Sequence, residues 1–350
     1  MSIRQPCVDE DRTTGAAART RTNFMNRRRF LTVSTLGAAG VTSCAKKPVA
    51  ADAPVRFGHF PNVTHVQGLV AHQLSRLGKG WYEKRMGVPV EWFTYNAGPS
   101  ATEAILGGGL DVTYIGPSPV LNAYARTKGK DVRILAGAAN GGSSIVVRKG
   151  VVVGAAGDLR GKRIATPQLG NTQDVQLRAL LAANGIKVTQ TGGEATILPV
   201  QNADLLAMFQ AGSLDAAWAP EPFASVLELE AGAVNFLKDM ETNVTMLVCG
   251  AEFLSGRAEL AGKLAAAHRE LTEWIQANAA EARELIVAEL TALTTRAPKA
   301  EVLDHALARV VLTNEVSRES LEKMVENAKA AGFIREFPAL EPLLAAVKSS

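Results

Sequence analysis

Nine neutral hydrogen-bonding side chains, Asn62, Thr64, Ser100, Ser118, Ser143, Ser144, Asn171, Thr172 and Gln173, recur in or beside short loops that contain no Arg or Lys. Such groups make directional hydrogen bonds without supplying countercharge, whereas a phosphate or phosphonate dianion more often recruits a bidentate arginine. They suit a singly charged, weakly basic oxyanion such as a sulfonate. Gly98-Pro99-Ser100 and Gly170-Asn171-Thr172 each precede a predicted helix, where backbone N–H groups and the positive end of the helix dipole face an anion. Gly170 also allows close backbone approach. Ser100 and Thr172 are good helix caps whether or not anything binds, and Gly116-Pro117-Ser118-Pro119 is a turn former in its own right.

Other chemistries find less support. His65 is a lone histidine of the kind used in packing; His59 and His72 lie near it but offer no fourth ligand block for a metal. Trp218 fits a cleft wall against an organic tail or a place in the core. Glu221 fits a pairing across a hinge or a group that opposes a multiply charged ligand. Gly107-Gly108-Gly109 lacks the Lys-Ser/Thr of a phosphate loop and reads as the end of the helix begun at Ser100. No catalytic trio is evident, and neither a cofactor nor a metal is expected.

The elements that must position these loops alternate. Strands are predicted at Val55–Gly58, Val90–Tyr95 and Leu110–Ile115, with helices over Val66–Leu77 and Ser100–Leu106 between them, the rhythm of βαβ units. Asp131–Ala138 and Ser144–Val147 add two strands. A second series then starts at Lys162–Ala165 and continues through the helix Thr172–Asn184 and the strands Ala195–Val200, Ala216–Ala219 and Val234–Leu237. After Thr245–Cys249 the strands stop, and residues 258–347 read as helices broken near Pro298 and Pro338. The simplest arrangement is α/β with two lobes. Residues 55–142 and 246–350 form a discontinuous first lobe, residues 143–245 an inserted second, and two crossing segments make a hinge.

Ahead of this body, Arg27-Arg28-Arg29-Phe30-Leu31, a short apolar run and Val41-Thr42-Ser43-Cys44 follow the order of an export signal. The arginine pair resembles the twin-arginine address and the last four residues a lipobox, with Cys44 the lipidated residue. Residues 1–43 are then a leader and 44–54 a tether. Seven of the 38 basic residues and three of the 34 acidic ones precede Cys44, leaving 31 of each. A near-neutral body gives no reason to expect nucleic acid. Cys249, the single cysteine after Cys44, excludes an internal disulfide framework.

Phe60–His65, Asn96–Ser100, Asp111–Pro119, Leu169–Val175 and Asp215–Pro222, in this order, resemble periplasmic substrate-binding proteins of ABC importers, closest to the aliphatic sulfonate, taurine and nitrate branch. The resemblance implies a two-lobed type II periplasmic-binding-protein fold, with two doubly wound α/β domains joined by a two-segment hinge. It also implies a monomer that holds a small anionic ligand in the cleft and delivers it to a membrane permease with a cytoplasmic ATPase. Implied ligand-binding positions are Asn62, Thr64, His65, Gly98, Ser100, Gly116, Ser118, Ser143, Ser144, Gly170, Asn171, Thr172, Gln173, Trp218 and Glu221. The expected location is the periplasm or cell surface, with the membrane reached through Cys44. Alternatives are nitrate, taurine or a neutral heterocycle as ligand, a sensor that presents its closed form to a receptor, or an enzyme like the pyrimidine synthases of thiamine biosynthesis, whose cysteine-rich motif is absent here.

Overall fold

The computed structural model describes residue 50 and residues 52–189, 192–239 and 242–344. The arginine pair, the apolar run, Cys44 and most of the expected tether lie outside the described residues. The described residues belong to one compact unit. The strands are β1 (Val55–His59), β2 (Val90–Thr94), β3 (Val112–Ile115), β4 (Val132–Gly141), β5 (Ser143–Val147), β6 (Arg163–Thr166), β7 (Thr196–Pro199), β8 (Ala216–Pro220), β9 (Val234–Asp239), β10 (Asn243–Gly250) and β11 (Val310–Leu312). The α-helices of the first half are α1 (Val66–Arg76), α2 (Trp81–Met86), α3 (Gly98–Leu106), α4 (Pro117–Arg126) and α5 (Thr172–Ala183). Those that follow are α6 (Leu205–Gln210), α7 (Phe223–Ala231), α8 (Ala251–Gly256), α9 (Ala258–Ala277), α10 (Ala279–Thr294), α11 (Ala300–Leu307) and α12 (Arg318–Ala330).

Two sheets result. The first runs β11-β4-β10-β3-β1-β2 and the second β7-β6-β8-β5-β9. In the first, β1 pairs in parallel with β2 and β3, and β10 lies antiparallel between β3 and β4. Side-chain alternation divides each lobe into two cores. Met246 and Val248 of β10 pack into one cluster and Leu247 and Cys249 into another, as do Val146 against Ile145 and Val147 in the second sheet. Both faces of each sheet are therefore apolar, which is why these strands read as continuous hydrophobic runs.

One sequence expectation fails. The strands do not stop after Cys249, because Val310–Leu312 returns as β11, antiparallel on the edge of β4. Three residues inside a helical block are too few to display a period of two.

The chain passes between the sheets at Gly142, which separates β4 from β5, and returns between β9 and β10. Gly142 has φ +67, and a Cβ there would lie 2.7 Å from methyl groups of both Thr64 and Val310. Conformation and space both require glycine.

A third tie is electrostatic. Arg309, just before β11, inserts its guanidinium among second-sheet residues, with Nη1 3.0 Å from Glu221 Oε1 and 2.6 Å from Glu228 Oε1. Glu221 is completely buried, and its other oxygen accepts from the N–H and hydroxyl of Ser225 at 3.0 and 2.7 Å. Burial pushes the Glu228 carboxyl up, but hydrogen bonds from Arg309 and Asn235 outweigh it and hold the group below its ordinary value. Removing one member of a buried pair strands the other's charge, at about 3 to 5 kcal/mol. Arg309→Met is therefore expected to lower unfolding stability by about 3 kcal/mol or more in urea titration; a loss under about 1 kcal/mol would show that the two carboxylates find other partners.

Candidate functional site

Between the lobes lies a cavity of about 30 Å³. Its first-lobe wall comes from the loops after β1, β2 and β3 and from Val244 of β10, and its second-lobe wall from the segments after β6 and β7 and from the end of β8. Apart from Val244, these are the carboxyl ends of strands, where open α/β sheets place their ligands.

Eight of the positions picked from sequence line this cavity: Asn62, Thr64, His65, Gly98, Gly116, Asn171, Thr172 and Gln173. The others stand behind it or away from it. Ser143 lies one layer back, its hydroxyl receiving hydrogen bonds from Gln173 Nε2 at 3.2 Å and Trp218 Nε1 at 2.8 Å. Trp218 belongs to the second-lobe core and does not wall the cleft. Ser118 and Ser144 are buried, with hydroxyls that have no partner. Glu221 belongs to the ion pair with Arg309.

Two capping expectations are corrected. Helix α3 starts at Gly98, so Ser100 lies inside it, exposed and hydrogen-bonded to Gln168 across the cleft at 3.1 Å. Helix α5 is capped by Asn171, whose Oδ1 accepts from Asp174 N–H at 2.9 Å, and Thr172 is the first helical residue. Gly170 N–H is also engaged, donating to Asp174 Oδ2 at 2.9 Å. That buried carboxylate is neutralised by Arg178 at 3.0 Å.

Three helix starts from two lobes consequently meet at one cavity: Gly98 of α3, Gly116 before α4, and Thr172 of α5. The close approach explains Gly116, where a Cβ would meet Thr172 Oγ1 at 2.4 Å and the Val244 carbonyl at 3.2 Å. Thr172 Oγ1 accepts a long hydrogen bond, 3.4 Å, from Ser118 N–H, so its own O–H remains a donor. The N–H groups of Thr172 and Gln173 have no acceptor within the helix. No Lys, Arg, Asp or Glu lines the cavity. His65 adds no charge, because burial depresses its imidazole to about 3. Its ring packs on Phe60 with centroids 4.3 Å apart. The result is a neutral, desolvated pocket whose positive potential comes from helix dipoles, suited to one negative charge.

Sequence reasoning missed the other wall residues: Phe60, Asn96, Ala97 and Pro119 in the first lobe, Pro167, Asn202 and Pro220 in the second, and Val244 of β10. Asn202 had a signal, since it follows β7 as Asn96 follows β2, and Asn96 Oδ1 accepts from Asn202 N–H across the cleft at 3.3 Å. Val244 lies where the family resemblance gave out.

The structure also gathers His59 and His72 with Glu289, which is distant from them in sequence. Their contacts, 2.9 Å between His59 Nε2 and His72 Nδ1 and 2.7 Å from there to Glu289 Oε1, are hydrogen-bond lengths. Ligands on a tetrahedral zinc at about 2.1 Å would stand roughly 3.4 Å apart. Cys249 is no nucleophile, as burial pushes its thiol up to about 12.

Residues 49–291 match the NMT1-like family. The chain belongs to that family. Over 147 residues this NMT1-like chain is 30% identical to the taurine-binding periplasmic protein of Escherichia coli (strain K12), a stretch covering 42% of this chain and 44% of that protein. It therefore spans less than half of that relative. Structural likeness runs over most of the chain: the alkanesulfonate-binding protein SsuA of Xanthomonas axonopodis pv. citri, bound to MOPS, superposes with TM-score 0.67 at 20% identity, covering 85% of this chain and 99% of that one. The nitrate-binding protein NrtA of Synechocystis PCC 6803 gives TM-score 0.64 at 17% identity, covering 85% of each chain. The NMT1-like chain thus has the two-lobed periplasmic-binding-protein fold.

Cap and ligand donor are separable in this arrangement. Asn171→Ala removes a helix cap and should cost about 1 kcal/mol of stability, read as a lower melting temperature. Thr172→Val keeps shape and helix but deletes the free hydroxyl, and should weaken oxyanion binding about tenfold in calorimetric titration with little change in melting temperature. Wild-type affinity in the Thr172→Val protein would place the anion elsewhere.

Proposed function

We propose that this protein is the extracytoplasmic solute-binding component of an ABC importer and that it captures a small organic oxyanion, an aliphatic sulfonate, between its lobes. One observation carries the reading: three helix N-termini from both lobes converge on a charge-free cavity lined by neutral donors. A sulfonate spreads one charge over three weakly basic oxygens, matching many moderate donors; a phosphate dianion would leave a second charge uncompensated. The sulfonate-binding and taurine-binding relatives support the same chemistry.

Delivery requires a closed form that a permease can recognise; Gly142 and the β9–β10 connection are the hinge for closure, and the Arg309 pairs with Glu221 and Glu228 beside it hold the closed arrangement. Export through the arginine pair and anchoring through Cys44 complete the proposal, supported by their order ahead of the tether.

A thermal-shift panel tests the substrate class. A ligand at 100 times its dissociation constant adds about 2.7 kcal/mol, a rise of several degrees. Methanesulfonate and ethanesulfonate are expected to raise the melting temperature and inorganic phosphate to leave it unchanged. Stabilisation by phosphate alone would overturn the assignment.

A further inference from the structure

Helix α12 follows β11 of the first lobe, yet it packs both on α4 of that lobe and on α5 of the second. Val175 of α5 joins a core cluster whose other members, Leu321, Val325 and Ile334 among them, all come from the first lobe. The way α12 ends decides what lies beyond this contact. Gly332 has φ +77 with no atom close to it, so its backbone and not its surroundings calls for glycine, and the N–H of Phe333 reaches back to the Ala328 carbonyl at 2.9 Å. That is a Schellman turn, which fixes the course of the chain directly after the helix.

Phe333 is thereby laid against the second lobe. Its ring comes within 3.3 Å of where a Gly170 Cβ would stand, and the Arg178 guanidinium lies over it, 5.8 Å from the ring centroid. Arg178 is itself buried and pairs with Asp174, the carboxylate that accepts from Gly170 N–H. The aromatic contact therefore touches both groups that Asp174 ties together in the loop before α5. That loop delivers Thr172 and Gln173 to the oxyanion cavity, of which Phe333 lines no part. We propose that Phe333 is a positioning residue for the anion: it seats the start of α5 against α3 and α4, so that the end of α12 helps to set how long a ligand is retained. The inference rests on the oxyanion reading of the cavity. It gives the closed arrangement two supports of different kinds, the Arg309 ion pairs to Glu221 and Glu228 and this aromatic contact on α5.

Calorimetric titration and stopped-flow release of methanesulfonate test it. Removing the ring lowers the fraction of molecules with α5 in place, so Phe333→Ala should weaken binding about tenfold, carried by faster release. Phe333→Leu keeps an apolar contact and should stay within about threefold of the parent. Gly332→Ala, at an exposed position, strains the turn that aims Phe333 without reaching the second lobe, and should weaken binding in the same direction. It decides the matter if Phe333→Ala folds poorly. Parent affinity in both alanine variants, with melting temperatures lowered, would make Phe333 a packing residue and overturn the proposal while leaving the oxyanion reading intact. A parent protein that binds neither methanesulfonate nor ethanesulfonate would overturn both.

Discussion

A guanidinium buried between two carboxylates sets the relation of one lobe to the other. Arg309 sits at the entry to β11 in the first sheet, while Glu221 directly follows β8 and Glu228 lies in α7, both in the second lobe. Charges removed from water are tolerated only where geometry satisfies them, so the seam admits a narrow set of lobe positions. Backbone bonds beside it work in the same direction: Val63 N–H donates to the Glu221 carbonyl, and Glu221 N–H to that of Gly142, each at 2.9 Å. The loop after β1, which supplies Asn62, Thr64 and His65, is thereby tied to the hinge and to the opposite lobe together.

With the seam fixed, the cavity becomes a question of what the strand ends present. The first lobe contributes the starts of α3 and α4 and the second the start of α5. Opening the lobes separates α5 from the other two and divides the positive potential; closing reunites it. An anion in the cavity therefore favours closure through its own charge, with no formal charge on either wall. Asp174 does not compete at the α5 terminus, because Arg178 and the Gly170 N–H satisfy it inside the second lobe.

Much of this was legible in the sequence because strand-to-helix loops carry both the turn chemistry and the donors. Thr64, Gly116 and Thr172 could be picked from their position after a hydrophobic run and before a helix. What resisted was long-range. The partner of Glu221 lies 88 residues away, in an arginine whose local sequence reads as helix, and β11 is too short to announce itself. Ser and Thr favour cap positions, which points to Ser100 and Thr172, yet Asn171, one residue before Thr172, reaches Asp174 N–H, and α3 starts at Gly98, ahead of Ser100. Trp218 illustrates the opposite error: its indole could serve a cleft or a core, and pairing of Ala216–Pro220 between β5 and β6 decides for the core.

In the proposed binding mode, helix N-termini and neutral donors, with no cationic side chain, hold the ligand's charge. Anomalous diffraction at the sulfur edge from crystals grown with methanesulfonate tests it most directly. The account predicts a sulfur peak in the cavity between Gly98, Gly116 and Thr172, with sulfonate oxygens within about 3.2 Å of the Thr172 and Gln173 N–H groups and no Lys or Arg nitrogen in contact. A peak against an arginine or lysine elsewhere, with nothing between the three helix starts, would contradict it.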